Sequence, residues 1–541
     1  MMAEIPREVK KLVSKSDAGD YISSYQLAKI YNDGIAGVDI DISKSAHYKE
    51  RCANQLLDYK FSLQSLKLIN YKGFQELDIS FSSSNTTILV GNNGSGKSTI
   101  LDAIQKTLTH ISSRLTTRSY NGDQIDEMEI NNNADFSTII PTFSINKNRF
   151  QFELSQSRPL VEIKKKSKFS ELNEIGLLLR QCNSAIPNFS LPLLASYTVE
   201  RANDVTTKDI EISEEILNSQ EWDKSRAYSK SLTGKADFKL FFRWFKEQIE
   251  EENSSNTDLN YLKAKIESKQ RELENPLLKA LMSDSNVTPK AKALFDSYIA
   301  EIEGLKRELN NQSDVNNKSL ECVRDAIYRF LPGFSELKLR RNPLDMTIKK
   351  GDQILSVLQL SQGEKSLLAL VADIARRLTL LNPHGVNQLD GTGLVVIDEI
   401  DLHLHPSWQQ MIVKRLESTF KNIQFIVTTH SPQVCHTVDS ENIWLLKEGK
   451  KFKAPKGVRG SLSSWVLENL FEVDARPPDD SITKLLNSYK TMVYNNEYES
   501  DEAVKAKEIL INHFGADYDV LVELNLYIEN QEWEKSFEKD I

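Results

Sequence analysis

The 541-residue sequence predicts an α/β protein in which a parallel sheet carries a phosphate-binding loop, with a helical insertion and a small helical N-terminal region added to it. Three strings predict this. Gly91-Asn92-Asn93-Gly94-Ser95-Gly96-Lys97-Ser98 fits G-x-x-x-x-G-K-[ST] and stands between the apolar run Thr87-Ile88-Leu89-Val90 and the helix-forming run that begins at Thr99. Far downstream, Leu360-Ser361-Gln362-Gly363-Glu364 opens a second helix, and Val395-Val396-Ile397-Asp398-Glu399 ends a wholly apolar run of the kind that forms buried parallel strands. Two halves of one site are thus separated by most of the chain, and what fills the gap shapes what the site works on.

Taken in order, residues 1–58 read as helical. Ser24 to Gly34, Gly37 to Asp41 and Lys44 to Tyr48 suggest two helices about a glycine turn, with Leu27, Ile30 and Tyr31 on one face. The segment resembles a single Sel1-like repeat; the alternative is a helical hairpin packed on the main body. Ser65 to Phe74 and Gln75 to Phe81 alternate as two strands around Gly73 and lead into the phosphate loop. Residues 116–135 are polar and read as a mobile loop, Phe143 to Lys168 alternates as further strands, and Leu191 to Tyr197 reads as a buried strand.

The core domain is expected over 59–235 and 330–455, interrupted by a helical insertion at 236–329. Phe238 to Asn253 is an aromatic amphipathic helix with Phe241, Phe242, Trp244 and Phe245. Leu259, Leu262, Ile266 and Leu273, then Phe295, Tyr298, Ile302, Leu305 and Leu309, follow 3- and 4-residue steps broken at Asn275-Pro276 and at Ser283 to Pro289. They predict a short antiparallel helical pair with arms on the order of 20 residues, about 30 Å. Strands return at Leu337 to Leu339 and Met346 to Ile348, a helix spans Lys365 to Leu380, and Phe425 to Thr429 is another buried strand. Residues 456–541 read as helical and acidic.

Composition excludes several classes. A 40% hydrophobic, 27% charged chain is ordinary for a globular protein, and its longest apolar runs are too short to cross a bilayer. The first residues lack an apolar signal region, so a cytoplasmic location and no membrane partner are expected. Cys52, Cys182, Cys322 and Cys435 include no C-x-x-C pair, which argues against structural zinc. A net charge of -9 disfavours nucleic-acid binding by the whole surface. Lys164, Lys165, Lys166 and Lys168, and Lys447, Lys450, Lys451, Lys453, Lys456 and Arg459, form two local basic patches, with solvated turns as the other reading of each.

The chemistry follows from residue types at these spacings. Backbone amides of Gly94 to Lys97 at a helix N-terminus can wrap phosphates, Lys97 can neutralise the β- and γ-phosphates, and Asn92, Asn93, Ser95 and Thr99 complete the loop. Ser98 and Asp398 are positioned to hold Mg2+, and Glu399, one residue on and pointing elsewhere, can act as general base for an attacking water. These residues call for ATP and Mg2+. His403 and His405, two apart and without thiolates, are weak metal ligands.

With Gly91 to Ser98, Leu360 to Glu364, Val395 to Pro406 and Thr429-His430-Ser431-Pro432 quoted, the chain resembles the ABC-type ATPases, and among them the branch containing Rad50, RecF and the overcoming-lysogenization-defect nucleases. The resemblance implies a P-loop NTPase fold of ABC type. It implies that Ser361, Gln362, Gly363 and Glu364 act in trans on nucleotide held by a second copy in a head-to-tail dimer or higher even-numbered oligomer, that Asp401 is the D-loop residue, and that His430 senses the γ-phosphate. The Q-loop residue stays open between Gln181 and the segment Tyr197 to Arg201. The strings Asp398 to Pro406, Trp244-Phe245 and Ala475-Arg476-Pro477-Pro478 resemble the PtuA family of Septu anti-phage systems, including retron-carried forms. That family implies a partner HNH endonuclease and, in the retron form, a reverse transcriptase with its multicopy single-stranded DNA; phage DNA is a further expected ligand. The tail after His430 shows no carboxylate set of a Toprim nuclease, so another subunit is expected to cut. A DNA-repair or chromosome ATPase using the helical pair as an arm, and an ATP-stabilised scaffold, are the competing functions.

Overall fold

Parallel pairing of apolar strands builds the centre of the protein, described in a computed structural model over residues 6–81, 86–116, 121–159, 161–162, 164–200, 223–273, 299–306 and 318–539. An antiparallel sheet comes first, with β1 (Phe61–Tyr71) flanked by β2 (Phe74–Ser80) and β4 (Phe136–Ile145), and with β5 (Asn148–Gln151) and β6 (Leu154–Ser157) both pairing β4. The central sheet contains β3 (Thr86–Gly91), β7 (Leu193–Tyr197), β11 (Gly393–Ile397), β12 (Ile423–Thr428), β13 (Ile443–Lys447) and β14 (Lys450–Lys453) in the order β14-β13-β3-β12-β11-β7. All neighbours in it are parallel except the β13–β14 hairpin. Every residue of β3, β7, β11 and β12 is buried, which is why their sequences run apolar without alternation.

Side chains at strand starts fasten the two sheets together. Thr392 Oγ1 accepts the Phe61 amide at 2.8 Å, and the Gln424 side-chain amide pairs with both the N–H and the C=O of Leu63 at 2.8 and 3.0 Å. These polar groups are buried, so each bond also satisfies a backbone group that would otherwise lack a partner.

At the N-terminus α1 (Arg7–Asp17), α2 (Tyr21–Asp33) and α3 (Ile42–Gln55) enclose Val9, Leu27, Ile30 and Tyr31. Asp20 caps α2 through the Ser23 amide, and Gly34, at φ 64°, closes it. These helices pack on α5 (Ser170–Ala185): Tyr25 donates to Glu174 at 2.8 Å, Lys29 pairs with the same carboxylate at 3.1 Å, and the Cys52 and Cys182 sulfurs are 3.7 Å apart.

Two expectations change. The described part of 116–135 is anchored rather than loose: Ile125 and Ile130 are buried, the Lys72 amide bonds to the Glu129 carbonyl at 2.7 Å, and Glu129 pairs with both Lys72 and Lys106 at 3.3 Å. Buried isoleucines, a capping box and ion pairs hold the segment to the body, while most of its polar side chains face solvent. The aromatic helix and the first arm of the insertion are one helix, Phe238–Leu273, because Ser254 to Asp258 contains poor helix formers but neither Gly nor Pro. Its aromatic root, Phe238, Phe241, Phe242, Trp244 and Phe245, is buried in the body. Farther out, Ile266 packs on Ile302 and Leu305 of a returning helix, residues 299–306, and Lys269 pairs with Glu301, a register that runs antiparallel. Asn275-Pro276, Ser283 to Pro289, Phe295, Tyr298 and Leu309 lie outside the described residues.

Between the insertion and the second half of the sheet come the helix Lys318–Phe330 and the sheet of β8 (Phe334–Arg340), β9 (Asp345–Lys350) and β10 (Gln353–Ser356). The helix Gln362–Leu381 then runs through the core, buried at every residue from Ser366 onward. Residues 461–541 form a separate compact unit whose helices Ser481–Tyr494, Asp501–Phe514 and Asp519–Lys539 enclose their own core around Leu486, Tyr489 and Leu510. No described helix is long and apolar enough to cross a membrane.

The phosphate-loop helix α4 (Lys97–Leu115) buries His110, which stacks on Phe169 and contacts the Asp123 carbonyl through Nε2 at 2.9 Å. Burial pulls its pKa from 6.5 down to about 4. Between those values the unfolded chain takes up a proton that the folded one refuses, so stability falls with falling pH by up to about 1.4 kcal/mol per pH unit. His110→Gln is expected to flatten the acid side of a melting-temperature profile between roughly pH 6.5 and pH 4, read by thermal unfolding of both chains.

Candidate nucleotide site

The phosphate loop is shaped by two close approaches that leave no room for side chains. A Cβ on Gly91 would lie 2.4 Å from the Leu446 carbonyl oxygen and 2.6 Å from Ser95 Oγ. Gly96 has φ 97°, and a Cβ there would lie 2.3 Å from the Phe74 ring, which the β1–β2 turn lays over the loop. The same turn is held to α4 by Tyr71 and Lys72, which bond to Asp102 at 2.5 and 2.6 Å. Within the loop, the Ser95 amide donates to the Asn92 carbonyl at 3.1 Å, and Lys97 Nζ donates to the carbonyls of Gly91 at 2.8 Å and Asn92 at 3.1 Å. Burial pulls the Lys97 pKa down, opposed by the charges of Asp398 and Glu399.

Several features fit a phosphate chain and a magnesium ion. Ser95 Oγ is buried with no partner among the described residues, and the free N-terminus of α4 begins at Lys97. Asn92, Asn93, Gly94 and Ser98 are exposed at the sheet edge. Ser98 Oγ lies 3.3 Å from Asp398 Oδ2, a hydroxyl and a carboxylate of the oxygen type that would hold Mg2+.

Asp398 and Glu399 diverge because the backbone changes hand between them. Asp398 continues the line of β11, its amide donating to the Tyr197 carbonyl at 2.8 Å. Glu399 is at φ 46°, the left-handed region that non-glycine residues seldom occupy, and its amide donates to Thr428 Oγ1 at 2.7 Å. The same Thr428 hydroxyl donates to Asp398 Oδ1 at 2.5 Å, so one side chain on β12 fixes both acidic residues.

The neighbouring strand end supplies His430. Strand β12 lies between β3 and β11, so Thr429-His430-Ser431 emerges between the phosphate loop and Asp398. Thr429 Oγ1 donates to Asp401 Oδ1 at 2.5 Å, tying the loop after Glu399 to the residue before His430. His405 caps the short helix that follows, its Nδ1 taking the Ser407 amide at 3.3 Å.

Ser361 and Gln362 are exposed, and Gly363 and Glu364 half-buried, at the start of an otherwise buried helix. Ser361 and Glu364 make a capping box, with Ser361 Oγ 2.9 Å and the Ser361 amide 3.0 Å from Glu364 Oε2. Lys350 pairs with Glu364 at 2.7 Å; burial opposes the Glu364 charge, but Lys350 and Ser361 outweigh it and hold the carboxyl below its usual range. Gly363 is pressed on the His403 carbonyl, 2.5 Å from where its Cβ would stand. The start of this helix therefore rests on the same loop that carries Asp401.

For the open Q-loop position, β7 pairs β11 with Tyr197 opposite Ile397, so Tyr197 to Glu200 leave the sheet beside Asp398. Gln181 sits near the end of α5, which leads to the start of β7 at the opposite edge of the sheet. Arg201 lies outside the described residues. Sequence reasoning did not pick out Phe74, Thr428 or Thr429. The threonines carried a signal, hydroxyls at the end of a wholly apolar strand; Phe74 carried none, because its partner is a glycine.

A family profile described as "AAA domain, putative AbiEii toxin, Type IV TA system" matches residues 86–435. The chain is 57% identical over its full length, and that of the relative, to the Retron Ec83 probable ATPase of Escherichia coli. The chain belongs to the retron ATPase family. A second member, the Retron Vc95 probable ATPase of Vibrio cholerae, is 34% identical over 94% of this chain and 98% of its own. The Septu protein PtuA of Bacillus mycoides is 34% identical over 35% of this chain and 27% of its own length. This retron ATPase has the α/β fold with a parallel phosphate-loop sheet expected from its sequence, with the phosphate loop, Asp398 and His430 at the ends of three adjacent parallel strands.

Gly96→Ala should displace Phe74 and distort the loop at a left-handed position. Equilibrium titration with a fluorescent ATP analogue is expected to show at least a roughly tenfold loss of affinity, with the fold retained by circular dichroism.

Proposed function

We propose that this chain is the ATP-hydrolysing subunit of an anti-phage defence complex, with composite sites shared between two copies and a partner HNH nuclease that it positions or gates. The observation that carries the reading is the setting of Asp398 and Glu399 beside Ser98: one carboxylate turned to the hydroxyl after the phosphate-loop lysine, the next residue on a left-handed backbone within reach of the Lys97 charge.

Catalysis here is positioning and charge stabilisation. The amides of Gly94 to Lys97 hold the phosphate chain, and Lys97 swings from its two loop carbonyls to the β- and γ-oxygens. Ser98 and Asp398 would hold Mg2+, which when bound neutralises charge on the β- and γ-phosphates. Glu399 accepts a proton from the attacking water, while His430 contacts the γ-phosphate from the adjacent strand end. Ser361 and Gly363 present the exposed N-terminus of the buried helix to the nucleotide of a second copy, and Asp401 lies on the loop beneath it. The segment Tyr197 to Glu200, beside Asp398, is the Q-loop.

That the relatives are a retron ATPase and a Septu protein supports a place in a defence complex; a reverse transcriptase with its multicopy single-stranded DNA and an HNH nuclease are the partners that the family resemblance implies. The paired helices at Ile266 and Ile302 give such partners a projecting element that is continuous with the buried aromatic root.

Glu399→Gln keeps the backbone turn and removes the base. ATP affinity is expected to stay within about twofold of the wild type, turnover to fall about 10²- to 10⁴-fold, and the chain to accumulate as an ATP-dependent oligomer by light scattering. Unchanged turnover would refute the role of Glu399.

A further inference from the structure

Tyr197 is enclosed at the end of β7, the edge strand of the central sheet, and its two polar groups face different parts of the machine. Its carbonyl accepts the Asp398 amide at 2.8 Å. Its phenol donates to Asp373 Oδ2 at 2.9 Å, in the middle of the helix that begins after Ser361. Asp373 also accepts Arg376 Nη2 at 2.7 Å and Arg377 Nε at 2.8 Å, and Arg377 goes on to the carbonyls of Ala227 and Ser229, just ahead of the insertion helix. Asp373, Arg376 and Arg377 are 0% exposed and Tyr197 1%.

This cluster is a poor way to gain stability. Two guanidiniums share one buried carboxylate, and Arg376 Nε and Nη1 and Arg377 Nη2 have no partner among the described residues. Apolar side chains of equal volume would serve packing as well or better. What the cluster does provide is a directed connection. Strand β7 ends the sheet, and its outer side is bridged to the loop ahead of the insertion helix, the Ser196 amide donating to the Ser231 carbonyl at 2.8 Å and the Thr198 amide to the Gly234 carbonyl at 2.7 Å. The Tyr197 phenol adds a tie from this strand end to the helix that begins after Ser361, so it bears on the place of the Tyr197 carbonyl and of the Asp398 amide bonded to it. Asp373 is about 18 Å along that helix from Ser361, a length over which a helix moves as a rigid rod.

We infer that Tyr197 is a positioning residue for hydrolysis: through Asp373 it ties the strand end that orients Asp398 to the helix that begins at Ser361, so that engagement of Ser361 by a second copy is passed to the metal-binding carboxylate. The inference rests on the ATPase reading above. Tyr197 itself touches no substrate.

Full-length Tyr197→Phe keeps the ring and removes only the hydroxyl. Relative to wild type it is expected to lose at least about fivefold in kcat and to need roughly threefold more Mg2+ for half-maximal rate, with ATP affinity in the absence of Mg2+ within about twofold. Its melting temperature should stay within about 3 °C, since one hydroxyl is removed from an enclosed aromatic site. Asp373→Asn keeps an acceptor for the phenol but removes the charge that the two guanidiniums share, so it should lower the melting temperature while leaving the Mg2+ requirement within about twofold of wild type. Values of kcat and Mg2+ requirement within about twofold of wild type, while Glu399→Gln abolishes turnover, would overturn the positioning role and leave the ATPase reading standing. A fall in kcat that only follows a lowered melting temperature, with the Mg2+ requirement unchanged, would also overturn it. Wild-type chain without turnover would overturn both.

Discussion

Ser98 and Asp398 lie 3.3 Å apart although 300 positions separate them, and the side-by-side packing of strands buried along their whole length closes that gap. With β3, β12 and β11 adjacent and parallel, their C-terminal ends are forced to one edge. The phosphate loop, His430 and the Asp398-Glu399 pair are those three ends. Everything inserted between them, including β4 to β6 of the antiparallel sheet, α5 and the paired helices, must leave and return without disturbing that order. The polar fasteners at the opposite edge, Thr392 to Phe61 and Gln424 to Leu63, fix the stagger of the strands from behind.

Around this frame the structure departs from low-energy choices at several places, and some of them lie at the site. Glu399 and His403 adopt left-handed backbone conformations, Gly96 accepts an aromatic ring against its α-carbon, and two arginines are enclosed with one aspartate. Strained non-glycine residues cost of order 1–3 kcal/mol each, and they persist because neighbours over-determine them. Thr428 holds both sides of the Asp398-Glu399 turn, and Gly363 rests against the His403 carbonyl. One chain of contacts therefore runs from the exposed start of the buried helix, through the loop of Asp401, to the strand end before His430.

Much of this was legible in the sequence because the chemistry fixes residue types at short spacings. The phosphate loop, the Leu360 to Glu364 string and Asp398-Glu399 are local patterns, and the buried strands announced themselves as unbroken apolar runs. Long-range relations were not legible. Nothing in Phe74 says that its ring covers Gly96, and nothing in Tyr197 separates a core tyrosine from one that joins Asp373 to Asp398. The polar stretch before Phe136 was misread because capping residues and loop residues share a composition: Asp126 and Glu129 form a capping box there. The first arm of the insertion was read too short because a run of serine, asparagine and threonine lowers helix propensity without ending a helix that its buried aromatic root holds in place.

Neither copy is expected to hold a complete site. Lys97 and Ser361 would belong to different composite sites, so defects in them should complement each other. The direct measurement is steady-state ATP hydrolysis by Lys97→Ala chain, by Ser361→Arg chain, and by an equimolar mixture of the two at fixed total protein. Each variant alone should be inactive. The mixture should recover activity, because a mixed dimer pairs the intact Lys97 of one chain with the intact Ser361 of the other; for random pairing and independent sites the yield is about a quarter of wild type. A mixture as inactive as its components would contradict the shared site, since it would mean that the two residues must lie on the same chain.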